Sequence, residues 1–283
     1  GGIYGDRSEL SLRTSVNTIA LAGEWKYRVE SISNSLTSVG PNSYPTLLFN
    51  AMIHPLLNLG IKGVIWYQGE SNAGRAYQYR KAFPLMINDW RKHWKQGDFP
   101  FYFVQLSSYN AGYGDSRKGS GWAELREAQT MTLSLPNTGM AVTTDIGDPN
   151  DIHPRNKQDV GKRLAAIALN KTYGKTDVVY SGPVFREMKI AGETAILSFD
   201  HVAGGLTTPD PYGYLRGFEI AGDDGKFRYA KAFIKDKNVV VFQDGVSKPV
   251  AVRYGWADNA SDSNLFNAEG FPAVPFRTDT WKG

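Results

Sequence analysis

Gly63-Val64-Ile65-Trp66-Tyr67-Gln68-Gly69-Glu70-Ser71-Asn72 begins as a short unbroken apolar run and ends in polar, turn-forming residues. A run without apolar/polar alternation suits a strand buried on both faces, as in a parallel sheet covered by helices. On its C-terminal side, Tyr79, Phe83, Met86, Ile87, Trp90 and Trp94 recur mostly at steps of three and four, which predicts a helix with one apolar face. Pro84 lies inside that stripe and is predicted to kink the helix or mark its true start, because proline has no N–H to donate. Phe99–Leu106 is a second buried strand, Trp122–Leu133 a helix, and Gly139–Asp145 a third strand. Asn156–Leu169 is a further helix, with Val160, Leu164 and Ile167 on one face. Strand and helix alternating at this spacing predict an α/β fold, a parallel sheet with right-handed crossovers.

The flanks read differently. Residues 1–46 are expected to be a β-rich tail plus linker. Leu10–Thr14, Ile19–Ala22 and Glu24–Val29 alternate with period two, and 31–46 is rich in Ser, Asn, Pro and Gly. Leu47–Leu59 is apolar with helical spacing, interrupted by Pro55. The α/β part spans 47–177. From 178 to 283 helical periodicity disappears, and short strands are expected at 195–199, 217–220, 229–234, 239–242 and 250–254. Turn chemistry such as Asp223-Asp224-Gly225-Lys226 separates them. This region is expected to be a β-sandwich or antiparallel β appendage.

Composition narrows the function classes. The 283 residues are enough for one large domain or two ordinary ones; 41% are hydrophobic and 21% charged. The net charge of +4 is spread out, without the basic run or motif of a nucleic-acid binder. No cysteine is present, which removes thiol chemistry, and no apolar run approaches the ~20 residues of a membrane span. The chain opens Gly1-Gly2-Ile3 rather than with Met, which reads as a processed or truncated boundary.

Two segments carry candidate chemistry. Gln68–Asn72 directly follows the first parallel strand, and Asp148-Pro149-Asn150-Asp151-Ile152-His153-Pro154 follows the third. Open α/β sheets place active sites at these C-terminal strand ends. Of the four histidines, His54 reads as packed, His93 as surface and His201 as part of a β-loop; His153 has the context of a base, in a loop with carboxylates close by. From the residues alone, His153 as a catalytic base and His153 as a helix-capping residue stand level. Ester hydrolysis of the Ser-His-Asp kind needs a hydroxyl, an imidazole held by a carboxylate, and donors for an oxyanion. Asp151 and His153 supply the orienter–base pair, and Gln68 an amide donor. Ser71 is the hydroxyl in view, although Ala73 breaks the Gly-x-Ser-x-Gly elbow. Glu70, Asn72 and Trp122 are the candidate substrate-binding residues. A non-catalytic carbohydrate-binding protein that uses its aromatics is a reading from another class.

The stretches Gly63–Asn72, Asp151–Pro154, Trp122–Gln129, Pro249–Asp258 and Pro275–Trp281 resemble, in order, blocks of the sialate O-acetylesterase family. The resemblance implies an SGNH-hydrolase core, a flavodoxin-like α/β/α sandwich, here partial and followed by the all-β C-terminal region. It implies removal of O-acetyl esters from sugars, chiefly the 9-O-acetyl of sialic acid, with acetylxylan or another polysaccharide as alternative substrate. It further implies a periplasmic or secreted location and no metal or organic cofactor. The family's nucleophilic Ser lies in an early Gly-Gln-Ser-Asn block that is not visible in this sequence. The missing N-terminal portion of the same protein is therefore the expected partner, supplying the Ser and the first strands, and Ser71 becomes structural. The family's Asp three residues before the His is Asn150 here, so Asp151 is the chosen orienter, with Asp148 or a backbone carbonyl as alternatives.

Overall fold

The computed structural model describes residues 11–21, 44–110 and 114–281. The chain divides into two compact units, 1–56 and 57–283. In the first, β1 (Ser11–Arg13) and β2 (Thr18–Ala20) form an antiparallel hairpin. Its turn is tied by Thr14 Oγ1, which accepts from Asn17 N–H at 3.0 Å. The strand expected at Glu24–Val29, and residues 31–43 of the loop, lie outside the described residues. The apolar stretch after it winds as a π-helix over Phe49–Ile53 and tightens to a 3₁₀ turn at His54–Leu56. Pro55, which has no N–H, sits where the winding changes. His54 is exposed, contrary to the packed role expected for it.

The second unit contains a three-stranded parallel sheet in the order β3 (Val64–Trp66), β4 (Phe101–Val104), β5 (Thr138–Ala141). The connecting helices are α1 (Ala76–Trp94) and α2 (Gly121–Met131), and α3 (Lys157–Lys171) follows β5. β4 is buried on both faces, which accounts for its unbroken apolar run. Phe101 and Phe103 meet Phe83 of α1 edge-on, at 6.2 and 5.0 Å between ring centroids. Tyr102 and Val104 face the other way and pack with Val160, Leu164 and Ile167 of α3. The result is helix, sheet, helix. Gly139 makes the second contact possible, since a Cβ there would collide with Ile167 and crowd the Tyr102 ring.

α1 starts at Ala76, after a 3₁₀ turn over Glu70–Arg75, and continues through Pro84. Pro84 therefore marks no boundary; its cost is one hydrogen bond to the carbonyl a turn earlier. α2 is capped by Ser120, whose side chain accepts from Ala123 N–H, and α3 by Asn156, which accepts from Asp159 N–H. Among the described residues β3 pairs only with β4, and Ile65 is 70% exposed.

The C-terminal region is a sandwich of two antiparallel sheets. Its strands are β6 (Val184–Ala191), β7 (Thr194–Asp200), β8 (Leu206–Thr207), β9 (Tyr214–Leu215), β10 (Phe218–Ala221), β11 (Arg228–Tyr229), β12 (Lys231–Lys235), β13 (Asn238–Phe242), β14 (Ala251–Tyr254), β15 (Phe266–Asn267) and β16 (Phe276–Arg277). One sheet runs β6-β7-β13-β12-β9, the other β11-β10-β14-β16, and β8 pairs with β15. Leu197, Phe199, Val239 and Val241 from the first sheet pack with Phe218, Ile220, Val252, Tyr254 and Phe276 from the second. β6 escaped the sequence reading because it is an edge strand, mostly exposed, without a buried alternation to reveal it.

Polar groups bind the sandwich to the α/β part. Arg126 of α2 is fully buried and donates to the carbonyls of Leu106 (3.0 Å), Gly255 (3.3 Å), Ala257 (2.8 Å) and Asp258 (2.6 Å). Burial pushes its guanidinium down to about 9, so it remains charged at neutral pH. Glu127, also on α2, pairs with Arg80 of α1 and with Arg277 of β16. Among the described residues no helix is long and apolar enough to cross a membrane.

Candidate active site

Because β3, β4 and β5 are parallel, Gln68, Ser107–Ser108 and the His153 loop emerge at one end of the sheet. Hydrogen bonds join these three strand ends. Gln129 of α2, fully buried, donates to Gln68 O (3.2 Å) and Val104 O (3.3 Å) and accepts from Leu106 N–H (2.9 Å). Thr143 Oγ1 donates to Gln105 O at 2.7 Å, and Ser108 Oγ to Thr144 O at 2.7 Å. The Lys157 ammonium stands 5.0 Å from the centre of the Tyr67 ring, which brings the start of α3 back to the end of β3.

The Gln68 side chain is held at both ends of its amide. Its Nε2 donates to Asn72 Oδ1 (2.8 Å), and its Oε1 accepts from the Tyr79 hydroxyl (3.0 Å). Burial pushes the Tyr79 phenol up to about 12, so it keeps the proton it donates. One Nε2 hydrogen of Gln68 is thus committed to Asn72 and the second is left for another acceptor. Asn72 is therefore a partner of Gln68. Glu70 is half-buried at the start of the 3₁₀ turn, and its charge helps raise the Tyr67 and Tyr79 phenols. Ser71 is exposed on the same turn.

Gly69 makes this corner possible. Its φ is +154°, and a Cβ would stand 2.8 Å from Leu125 Cδ2 and 3.1 Å from Gln129 Nε2. Gly69→Ala is expected to cost about 2 kcal/mol or more, from backbone strain plus overpacking. Urea denaturation checks this, and a midpoint equal to wild type would refute the steric account.

The His153 loop is tied by its own hydrogen bonds. Asp148 Oδ1 accepts from Asn150 N–H (2.8 Å), Asp151 Oδ1 from His153 N–H (2.8 Å), and Pro149 O from Asn110 N–H (2.9 Å). Its base is closed by Arg163 of α3, which grips Asp145 through two bonds of 2.7 and 2.6 Å and donates to Val142 O (2.6 Å). The His153 side chain is 88% exposed, and its Nδ1 lies 4.0 Å from Asp151 Oδ1, beyond hydrogen-bond reach. Asp151 here organises the backbone of the loop rather than gripping the ring. Trp122 is buried beneath the strand ends, donates its indole N–H to Ser107 O (2.7 Å), and packs at 5.3 Å from the Tyr109 ring.

Residues 35–170 match the family described as "Carbohydrate esterase, sialic acid-specific acetylesterase". A solved structure, a novel carbohydrate acetylesterase from Xanthomonas citri, superposes with a TM-score of 0.80 at 50% identity, covering 85% of this chain and 55% of that one. Over these residues the chain is similar to the sialic acid-specific acetylesterases among the carbohydrate esterases. The sialate O-acetylesterase of Mus musculus is 37% identical over 185 residues, 59% of this chain and 34% of that protein. That of Homo sapiens is 37% identical over 182 residues, 57% and 34% respectively. The chain thus spans about a third of the length of these curated relatives.

At these strand ends, sequence reasoning passed over Gln129, Asp145, Arg163 and Asn110. Gln129 lay in a stretch already picked out by its resemblance to the family, but an amide on an apolar helix face gives no sign of three backbone partners. Asp145 and Arg163 are far apart in sequence and meet only because α3 folds back across β5.

Proposed function

We propose that the parent protein hydrolyses O-acetyl esters on sugars through an acyl-enzyme, with His153 as the general base. The observation that carries this reading is the placement of His153. It is an exposed imidazole on a hydrogen-bonded loop beyond the C-terminal end of β5, at the same end of the sheet as the amide of Gln68. In this mechanism His153 takes the proton of a serine hydroxyl as the oxygen attacks the acetyl carbonyl. Gln68 Nε2, together with backbone N–H groups, donates to the oxyanion. His153 then returns the proton to the departing sugar oxygen and later activates the water that releases acetate. Asp151 orients His153, a role that requires closing the present 4.0 Å gap.

The serine we assign to a segment outside this chain. Two features support that. Ser71 sits on a 3₁₀ turn without the Gly-x-Ser-x-Gly elbow. β3 presents an edge with no partner among the described residues, and exposed Ile65 is apolar surface that further strands and a helix would cover. The names of the mouse and human relatives favour an O-acetylated sialic acid as substrate, and that of the Xanthomonas citri structure an acetylated carbohydrate in general. The test is acetate release from p-nitrophenyl acetate by the full-length protein and its Ser71→Ala variant, alongside this 283-residue chain alone. Wild-type turnover in Ser71→Ala and none in the lone chain support the assignment. Loss of activity in Ser71→Ala, or an active lone chain, makes Ser71 the nucleophile.

A further inference from the structure

An amide donates from one end only. Gln68 can therefore serve an oxyanion in just one of two orientations, related by a half-turn about its last side-chain bond. In the other, its carbonyl oxygen would face the negative charge and repel it. The neighbours of the amide choose between the two. Its Oε1 accepts from the Tyr79 hydroxyl at 3.0 Å, and its Nε2 donates to Asn72 Oδ1 at 2.8 Å.

A tyrosine hydroxyl both donates and accepts, so Tyr79 by itself sets no direction. Trp66 supplies one. Burial raises the Tyr79 phenol, the Glu70 charge adds to that, and the Trp66 indole N–H opposes it from beside the phenol oxygen. That N–H is a donor only. It is buried, and among the described residues it has no other hydrogen-bond partner. With a lone pair turned to the indole, Tyr79 gives its own proton to Gln68 Oε1, and Nε2 is left facing Asn72. Each member of this chain is held by packing or backbone bonds. Tyr79, 4% exposed in the first turn of α1, stacks on Phe83 at 5.1 Å between ring centroids. Trp66, the last residue of β3, meets Trp90 of α1 edge-on at 5.7 Å. Asn72 sits on the 3₁₀ turn, its N–H bonded to Gly69 O at 2.8 Å.

We propose that Tyr79 and Asn72 are positioning residues, which hold the Gln68 amide so that its second Nε2 hydrogen meets the oxyanion of the tetrahedral intermediate. The proposal rests on the esterase reading above. Neither residue touches the substrate; both act through Gln68. The oxyanion belongs to the transition state and is absent from the bound ester. Losing the aim of its donor therefore lowers kcat and leaves KM near its wild-type value.

The experiment measures kcat and KM for p-nitrophenyl acetate on the full-length protein and on Gln68→Ala, Tyr79→Phe and Asn72→Ala. Two doubles combine Gln68→Ala with each of the others. Phenylalanine keeps the ring that stacks on Phe83, and melting curves check that every variant is folded. Should one of the two clamp variants fail to fold, the other carries the test. Gln68→Ala is expected to lower kcat by ~100-fold or more, the cost of removing an oxyanion donor. Tyr79→Phe and Asn72→Ala should each lower it by ~10-fold with KM unchanged, and neither should lower it further once Gln68 is alanine. Wild-type kcat in Tyr79→Phe or in Asn72→Ala overturns the role of that residue. Losses that multiply in full with that of Gln68→Ala overturn both, because the residues would then act independently of the amide. Wild-type kcat in Gln68→Ala removes the amide as oxyanion donor, and the positioning role with it, while His153 stands as the base. A full-length protein that releases no acetate overturns the esterase reading itself and the positioning role together.

Discussion

His153→Ala in the full-length enzyme is expected to lower kcat/KM for p-nitrophenyl acetate by about 10⁴-fold or more, because residues of a nucleophile–base unit fail together. The same variant should keep the wild-type melting temperature to within about 0.5 kcal/mol of stability, as for other surface substitutions. The pairing of the two outcomes follows from the structure. The His153 ring is 88% exposed, and Asp151 Oδ1 lies 4.0 Å from its Nδ1. The loop is held by backbone donors to Asp148 and Asp151 and by the Asp145–Arg163 clasp, none of which uses the imidazole. A variant that loses activity and stability together would mean that His153 is structural, the capping role that the sequence left open. Near-normal activity would remove it as the base.

Asp279→Ala is expected to cost about 3–5 kcal/mol of unfolding free energy, the range for removing one partner of a buried ion pair. Arg253 and Asp279 are each 2% exposed and share two bonds of 2.8 Å. The guanidinium also lies 4.0 Å from the centre of the Phe227 ring and 5.4 Å from that of Trp256. Without the carboxylate the guanidinium loses both of its short bonds and keeps a long one to Ser116 O (3.4 Å), its aromatic neighbours and the Glu219 charge across the strand pair. The penalty comes from that orphaned charge, so the double variant Arg253→Met with Asp279→Leu should recover much of the loss. Urea unfolding of the two singles and the double forms the cycle. A single-variant cost below ~1 kcal/mol would mean that solvent reaches the pair.

The α/β core was legible because its signals are local. β4 is covered on both sides, so Phe101–Val104 had to be apolar without alternation, and the α3 stripe of Val160, Leu164 and Ile167 is the face that meets Tyr102. The sandwich strands β7, β13 and β14 stood out for a similar reason, since each places residues in one core. β6 has little buried face and gave no comparable signal. Of the two readings of Pro84, kink or helix start, the start is not what forms, because a proline's lost hydrogen bond is a local penalty and Phe83 beside it packs against Phe101 and Phe103.

At the site the division is equally physical. By itself the sequence determined the chemical identity of the groups: a histidine in a carboxylate-bearing loop, an amide at a strand end, and a glycine where the chain turns. Those depend on residue type and near neighbours. Only the tertiary structure decided which groups are already occupied. It showed that Gln68 is clamped by Asn72 and Tyr79, that Trp122 is committed to Ser107, and that Asp151 serves its own loop. It also brought Gln129, Asp145 and Arg163 to the strand ends. Hydrogen bonds between residues distant in the chain depend on the packing of whole elements, and no local pattern in the sequence encodes that geometry.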